Sequence, residues 1–327
     1  MLALGVFLAL AFTVCNGFHD ASNAVATSIV TKALRERTAL VMAAVLNFLG
    51  TCLAFGIVLA SGSSLLHFAS FAVPGGADAT GLLLICCAIT AAICWNLLTW
   101  WWGMPSSSSH ALLAALWGAC LVSDRNLLEP IAPLALVIPL LVLPLLAAAM
   151  ALGGLHLFAR FAEALSLTPR QLRLLQTMSA GAVAAGHGLQ DGLRCTALLA
   201  AVLLLSGVEA DFSAPAALAA AFAIGGGTLL GGRRIIRTIG RRLSDLSTPQ
   251  GLAAESATAV LLYGTSILPG FPASTTHVLT ASVAGAGLAA GPGSLRWPLL
   301  GKIMLTWLAT PLFCAALAAC LTSLFVR

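Results

Sequence analysis

Charged side chains are scarce in this chain. Asp, Glu, Lys and Arg make up only 8% of its 327 residues, against about a quarter in soluble domains. A surface so poor in charge excludes an ordinary water-soluble domain. Tyrosine occurs once. No basic stretch precedes the apolar start "MLALGVFLALAFTVC", so it is read as a first membrane helix rather than a secretion signal. The nine cysteines all lie in apolar stretches, without C-x-x-C or a Cys/His spacing suited to zinc; they are read as small apolar residues, and no metal site or cofactor is expected. No nucleophile, base and orienting group stand together as an enzyme requires. The net charge of +5 comes from short loops, which gives no reason to expect nucleic acid as a partner.

Long apolar runs are what the chain has instead. Hydrophobic residues make up 60% of it, and its mean hydropathy is +1.01. The runs fall at about 2–30, 39–60, 81–103, 106–122, 131–158, 174–206, 215–232, 251–270, 273–290 and 297–325. Many approach the roughly 20 residues that span a bilayer as helix, and helix is the form that satisfies its own backbone there. The expected fold is an all-α polytopic membrane protein of about ten segments.

Two pairs of strings recur. "PSSSSH" (105–110) returns as "PASTTH" (272–277), displaced by 167 residues, and "GFHDASNAVAT" (17–27) is matched by "GLQDGLRCTAL" (188–198), displaced by 171. This implies a duplication, with a first repeat over 1–158, a basic cytoplasmic linker over 159–173 and a second repeat over 174–327. Loop charge then reverses between the halves. "TKALRERT" is basic and its counterpart "SGVEADFSAP" has no Lys or Arg; "SGSSLLHFASFAVPGGADAT" has none, while its counterpart "GGRRIIRTIGRRLSDLSTPQG" carries five arginines. By the excess of Lys and Arg on the cytoplasmic side, the repeats have inverted topology and both termini lie outside. Inverted repeats with broken helices or re-entrant hairpins are an architecture of secondary transporters, with substrate near the midplane.

Ionisable residues within spans are costly and point to function. They are Asp20 with His19, Asp191 and Arg194 with His187, and Glu255, with His110 and His277 beside the hydroxyls. Glycines around the aspartates suggest a helix that opens there. Pro105 and Pro272 suit a first helical turn. The hydroxyls after them, Ser107, Ser108 and Ser109 and Ser274, Thr275 and Thr276, combine with free backbone N–H groups to suit an oxyanion. A carboxylate beside an oxyanion is useful if it accepts a proton still carried by phosphate, which sulfate lacks, or if it holds a coupling cation. His110 and His277 are read as structural.

At these residues the sequence resembles the inorganic phosphate transporter (PiT) family. "GFHDASN" (17–23) is similar to its Gly-x-Asn-Asp-x-x-Asn signature, and "WNLLTWWWGMPSSSSHALL" (95–113) and "PASTTHVL" (272–279) are similar to its paired hydroxyl motifs. The similarity continues through "RQLRLLQTMSAGAVAAGHG", "GGRRIIRTIGRR" and "GLAAESATAVLL". The resemblance implies a symporter that imports phosphate with H⁺ or Na⁺ by alternating access in the plasma (inner) membrane. It places substrate on Asp20, Asn23, Ser107, Ser108, Ser109, Asp191, Arg194, Ser274, Thr275 and Thr276, and the coupling ion on Asp20, Asp191, His19 and Glu255. His19, Leu189-Gln190 and Leu193-Arg194 depart from the family pattern, which leans toward H⁺ and keeps a sulfate or other oxyanion permease as the alternative. A phosphate-sensing membrane protein or uncoupled channel is the alternative of another class. The expected partners are inorganic phosphate, H⁺ or Na⁺, the lipid bilayer and a second copy in a homodimer.

Overall fold

In a computed structural model, residues 1–61, 66, 71–73, 77–128, 132–208, 213–266 and 273–325 are described, with backbone alone for 21–23, 132–136 and 213. The apolar runs become helices α1 (Leu2–Val30), α2 (Glu36–Ser61), α3 (Ala79–Trp102), α4 (Ser108–Leu121) and α5 (Ala132–Ala164) in the first half. The second half contributes α6 (Pro169–Leu205), α7 (Ser213–Leu230), α8 (Arg233–Leu243), α9 (Thr248–Ser266), α10 (Thr275–Leu288) and α11 (Trp297–Phe325). Large apolar side chains such as Leu145 and Leu312 point outward, each 74% exposed, while many Ser, Thr, Asn, His and Asp side chains are buried. That is the distribution expected of helices packed through small and polar residues in lipid.

By length and hydropathy, six helices among the described residues can each cross a membrane, and a seventh span arises if α7 and α8, bent by 55°, form one broken crossing. Each of the ten runs read from the sequence contains a helix, but not all are full crossings. α4 and α10 have 14 residues each, about 21 Å at 1.5 Å per residue, against a hydrocarbon core of about 30 Å. The stretch 159–173 is largely helical: α5 runs to Ala164 and α6 begins at Pro169, leaving 165–168 as the connection. Thr168 caps α6 there, its side chain and that of Gln171 satisfying each other's backbone N–H.

The halves are intertwined. α4 packs on α11 and α10 on α5; α1 packs on α7 and α6 on α2. Glycines permit the closest of these contacts, and they recur in register. A Cβ on Gly118 would strike the Ala315 backbone, and one on Gly285 the Ala148 backbone. Gly17 lies against the backbone at Ile224 and Gly188 against that at Asn47, while Gly50 lies against Ala185 and Gly227 against Val14. Two isolated antiparallel bridges, Phe71 with Leu128 and Ser244 with Leu295, repeat the relation. Two contacts fix which ends meet. Arg233 Nε lies 2.7 Å from Glu36 Oε1, joining the segment after α7 to the start of α2. Asp78 N donates to Leu205 O at 2.9 Å, joining the start of α3 to the end of α6.

Candidate substrate and ion site

The polar residues of α1 and α6 meet the starts of α4 and α10 in the buried interior. Ser107 caps α4 and Ser274 caps α10, each with its side chain accepting from the backbone N–H of the histidine three residues on. The helices therefore begin at Ser108 and Thr275. Pro105 stands before the cap rather than in the first turn, because the cap needs an extended residue that the serine supplies; Pro272 lies outside the described residues. Ser107 Oγ also lies 2.8 Å from His110 Nδ1. The caps thus spend the oxygens of Ser107 and Ser274 on their own helices.

The next hydroxyls reach across to the opposite half. Ser109 Oγ donates to Asp191 Oδ1 at 2.6 Å, and Thr276 Oγ1 donates to Asp20 Oδ1 at 3.0 Å. Ser109 and Thr276 are 167 residues apart, and so occupy equivalent places in the two strings. Asp20 also receives Asn16 Nδ2 and the Ser108 backbone N–H, both at 3.4 Å, and lies 2.8 Å from His19 Nδ1. Asp191 pairs with Arg194 Nη1 at 2.6 Å and with His187 Nε2 at 3.1 Å; Arg194 also donates to Ser109 Oγ. Asp20, Asp191 and Arg194 are 3%, 3% and 6% exposed, so solvent screens these charges weakly.

The expected opening of the helices at their glycines is not found. α1 is continuous through 17–23, and α6 passes its motif as a π-helical turn, Gly188–Gly192. Gly17 and Gly188 serve instead to admit the neighbouring backbone. The wider turn places Asp191 on a local irregularity of the kind common at functional sites. The side chain of Asn23 lies outside the described residues. Thr275 is buried as the first helical residue of α10.

Glu255 makes none of these contacts. On α9, it accepts from Ser28 Oγ at 2.7 Å, Ser179 Oγ at 2.6 Å, Gln176 Nε2 at 3.5 Å and Thr27 Oγ1. Thr27 lies seven residues beyond Asp20 on α1, about 10 Å along the axis, so this is a second polar cluster. His110 and His277 stack at a centroid distance of 4.9 Å, and His277 packs on Trp307 at 4.3 Å.

None of Thr99, Asn96 and Asn47 is named as a site residue from the sequence, although Asn96 and Thr99 lie within the quoted tract 95–113; Asn47, on α2, lies outside the motifs. Thr99 Oγ1 lies 2.8 Å from Ser106 Oγ and 3.1 Å from His19 Nε2, Asn96 Nδ2 donates to Ser108 Oγ at 2.9 Å, and Asn47 Oδ1 lies 2.9 Å from His187 Nδ1. The sequence reading places the coupling ion on Asp20 and Asp191 together but leaves out His187; the ligand atoms of the three lie within 4.8 Å of one another and could hold a cation. His187 sits one helical turn before Asp191, a spacing in the sequence that could have found it.

A multi-span helical membrane protein with a buried site drawn from both halves of the chain, donors facing carboxylates, has the construction of a solute transporter. The chain belongs to the phosphate transporter family, whose model matches it twice, over residues 16–170 and 162–318. It is 35% identical over 318 residues to a protein of Mycobacterium bovis, covering 95% of this chain and 74% of that one. It is 31% identical over 323 residues to one of Bacillus subtilis, covering 96% and 94%. Both relatives carry the description "Probable low-affinity inorganic phosphate transporter". A solved structure titled "The sodium-dependent phosphate transporter" has the same fold, with a TM-score of 0.80 at 20% identity over 99% of this chain and 98% of that one.

Proposed function

We propose that this protein imports inorganic phosphate by symport with a cation, H⁺ or Na⁺, through alternating access in the plasma (inner) membrane. The observation that carries the reading is the crossed pair, Ser109 on Asp191 and Thr276 on Asp20. The hydroxyls and N-terminal amides of two helices converge with two carboxylates, which gives donors for phosphate oxygens and acceptors for the proton that phosphate keeps near neutral pH. Asp20, Asn23, Ser108, Ser109, Asp191, Arg194, Thr275 and Thr276 contact phosphate in this reading, with Ser107 and Ser274 fixing the helix starts. Asp20 and His19 take the cation at the same place, beside Asp191 with its paired Arg194. Glu255, ringed by hydroxyl oxygens, offers a second cation position.

The repeats, 1–158 and 174–327, are inverted. The contacts of Glu36 with Arg233 and of Asp78 with Leu205 support this, because they join the first loop of each half to the second loop of the other. Side-by-side repeats of the same orientation would keep those loops on opposite faces. Both termini lie outside, the basic connections inside, and two copies associate as a homodimer. The test is uptake of labelled phosphate into proteoliposomes with H⁺ and Na⁺ gradients imposed separately. Accumulation driven by one of them, lost in Asp20→Asn with Asp191→Asn, is the expected result; equal inhibition by unlabelled sulfate would replace phosphate with a broader oxyanion substrate.

A further inference from the structure

The two aspartates hold equivalent places, yet their surroundings differ in charge. At an offset of 171 residues, Asn16 corresponds to His187, His19 to Gln190, Asp20 to Asp191 and Asn23 to Arg194. The second half therefore carries a guanidinium where the first carries a neutral amide. Arg194 uses that position to bind its own aspartate, Nη1 to Asp191 Oδ1 at 2.6 Å, and it also donates to Ser109, the hydroxyl that crosses to the same carboxylate. Asp20 is met by Asn16, His19, the Ser108 amide and Thr276; among the described residues no Lys or Arg pairs with it.

A second observation marks the first half as the one built for an external ion. Asn16, 1% exposed, points its Nδ2 at Asp20, while its Oδ1 is buried without a hydrogen-bond partner among the described residues. A buried amide oxygen left open beside a carboxylate is an incomplete set of oxygen ligands, and a cation completes it. Gln190 Oε1 in the second half is open as well, but its amide nitrogen is anchored on Leu262 O, Thr265 and Ser266 of α9. Arg194 already serves the carboxylate on that side.

We propose that Arg194 is a resident counter-cation: it occupies on Asp191 the place an inorganic cation takes on Asp20, so the duplicated aspartates accept one coupling cation between them instead of two. This rests on the symport reading for its transport meaning, but its structural content concerns cation binding alone. An arginine does not lose its proton in proteins, and at this depth it cannot exchange with solvent ions as a bound cation does. The duplicated site is thereby made unequal, one half permanently neutralised and one half filled and emptied in each cycle.

The test counts Na⁺ bound to the purified full-length chain at fixed pH, with ²²Na⁺ and no phosphate present. The Glu255→Gln background removes the second polar cluster from the count. In that background the chain with Arg194 intact binds no more than one Na⁺, Arg194→Lys binds the same number, and Arg194→Asn, which installs the first-half residue, binds one more. Asp191→Asn added to Arg194→Asn removes the extra ion and leaves the remainder. Two Na⁺ bound with Arg194 in place, or a folded Arg194→Asn protein whose count does not rise, would overturn the proposal. The first outcome needs no Arg194 variant, so a variant that fails to fold does not protect the idea. Because phosphate is absent, loss of the transport reading, seen as no gradient-driven uptake, is a separate result.

Discussion

Glu255 shows how a single buried residue can organise several others. Thr27, Ser28, Gln176 and Ser179 all direct donors at its carboxylate, and it is wholly buried. Truncation to Ala strands those donors, each at a cost of about 1–3 kcal/mol, whereas Gln keeps the shape and one carbonyl acceptor. Thermal unfolding in detergent should therefore rank the wild type above Glu255→Gln and Glu255→Gln well above Glu255→Ala; equal melting of the two variants would show that the donors find other partners. Ser109 and Thr276 give a paired prediction. Each donates to the carboxylate of the opposite half, and a hydrogen bond to a charged group contributes about 1.5–3 kcal/mol. Ser109→Ala and Thr276→Ala should each lower phosphate uptake efficiency roughly 10- to 100-fold, by similar factors. A large loss in one and none in the other would mean that the two strings do not share the work.

At the scale of helices, the sequence located the elements better than it explained them. The hydroxyl strings were legible as helix starts, because Ser and Thr are the residues that cap helices. Which serine is the cap was not legible, since four in a row offer equivalent side chains and only packing selects the register that puts Ser107 at the cap. The glycines beside Asp20 and Asp191 suggest, from local sequence, openings in a helix. They are contact points, because small residues let membrane helices approach to backbone distance, and a partner helix from the other half cannot be seen from local sequence. The equivalent pair Gly118 and Gly285 makes this testable. A Cβ at either would overlap backbone, Ala315 in one case and Ala148 in the other, and overpacking costs typically 1–3 kcal/mol. Gly118→Val and Gly285→Val should both lower the melting temperature, while Gly153→Ala, whose Cβ meets nothing within 4 Å, should not. The contrast fails if Gly153→Ala destabilises as much as the other two.

Over the whole molecule, duplication and reversed loop charge were visible in the sequence, and the family model matches the chain twice. The exchange of helices between the halves was hidden, because a periodic apolar pattern states that a face is covered without stating by what. The arrangement bears on how the chain folds. α4 finds its main partner in α11 and α10 finds its main partner in α5, while α1 and α6 pack on α7 and α2 of the opposite half. Separated at the 165–168 connection, each half would leave these faces, lined by Gly118, Gly285, Gly17 and Gly188, open to lipid. The carboxylate of Asp20 would lose Thr276 and that of Asp191 would lose Ser109, each a hydrogen bond to a charged group that contributes about 1.5–3 kcal/mol. Neither half, expressed as 1–165 or 166–327, should therefore give a stable monomer in detergent. The two co-expressed halves should copurify as a one-to-one complex, because the short connection contributes few contacts of its own. Protease protection and size-exclusion chromatography of the separate and joint preparations decide it: a single half that is protected and monomeric alone would show that the repeats are independent folding units placed side by side.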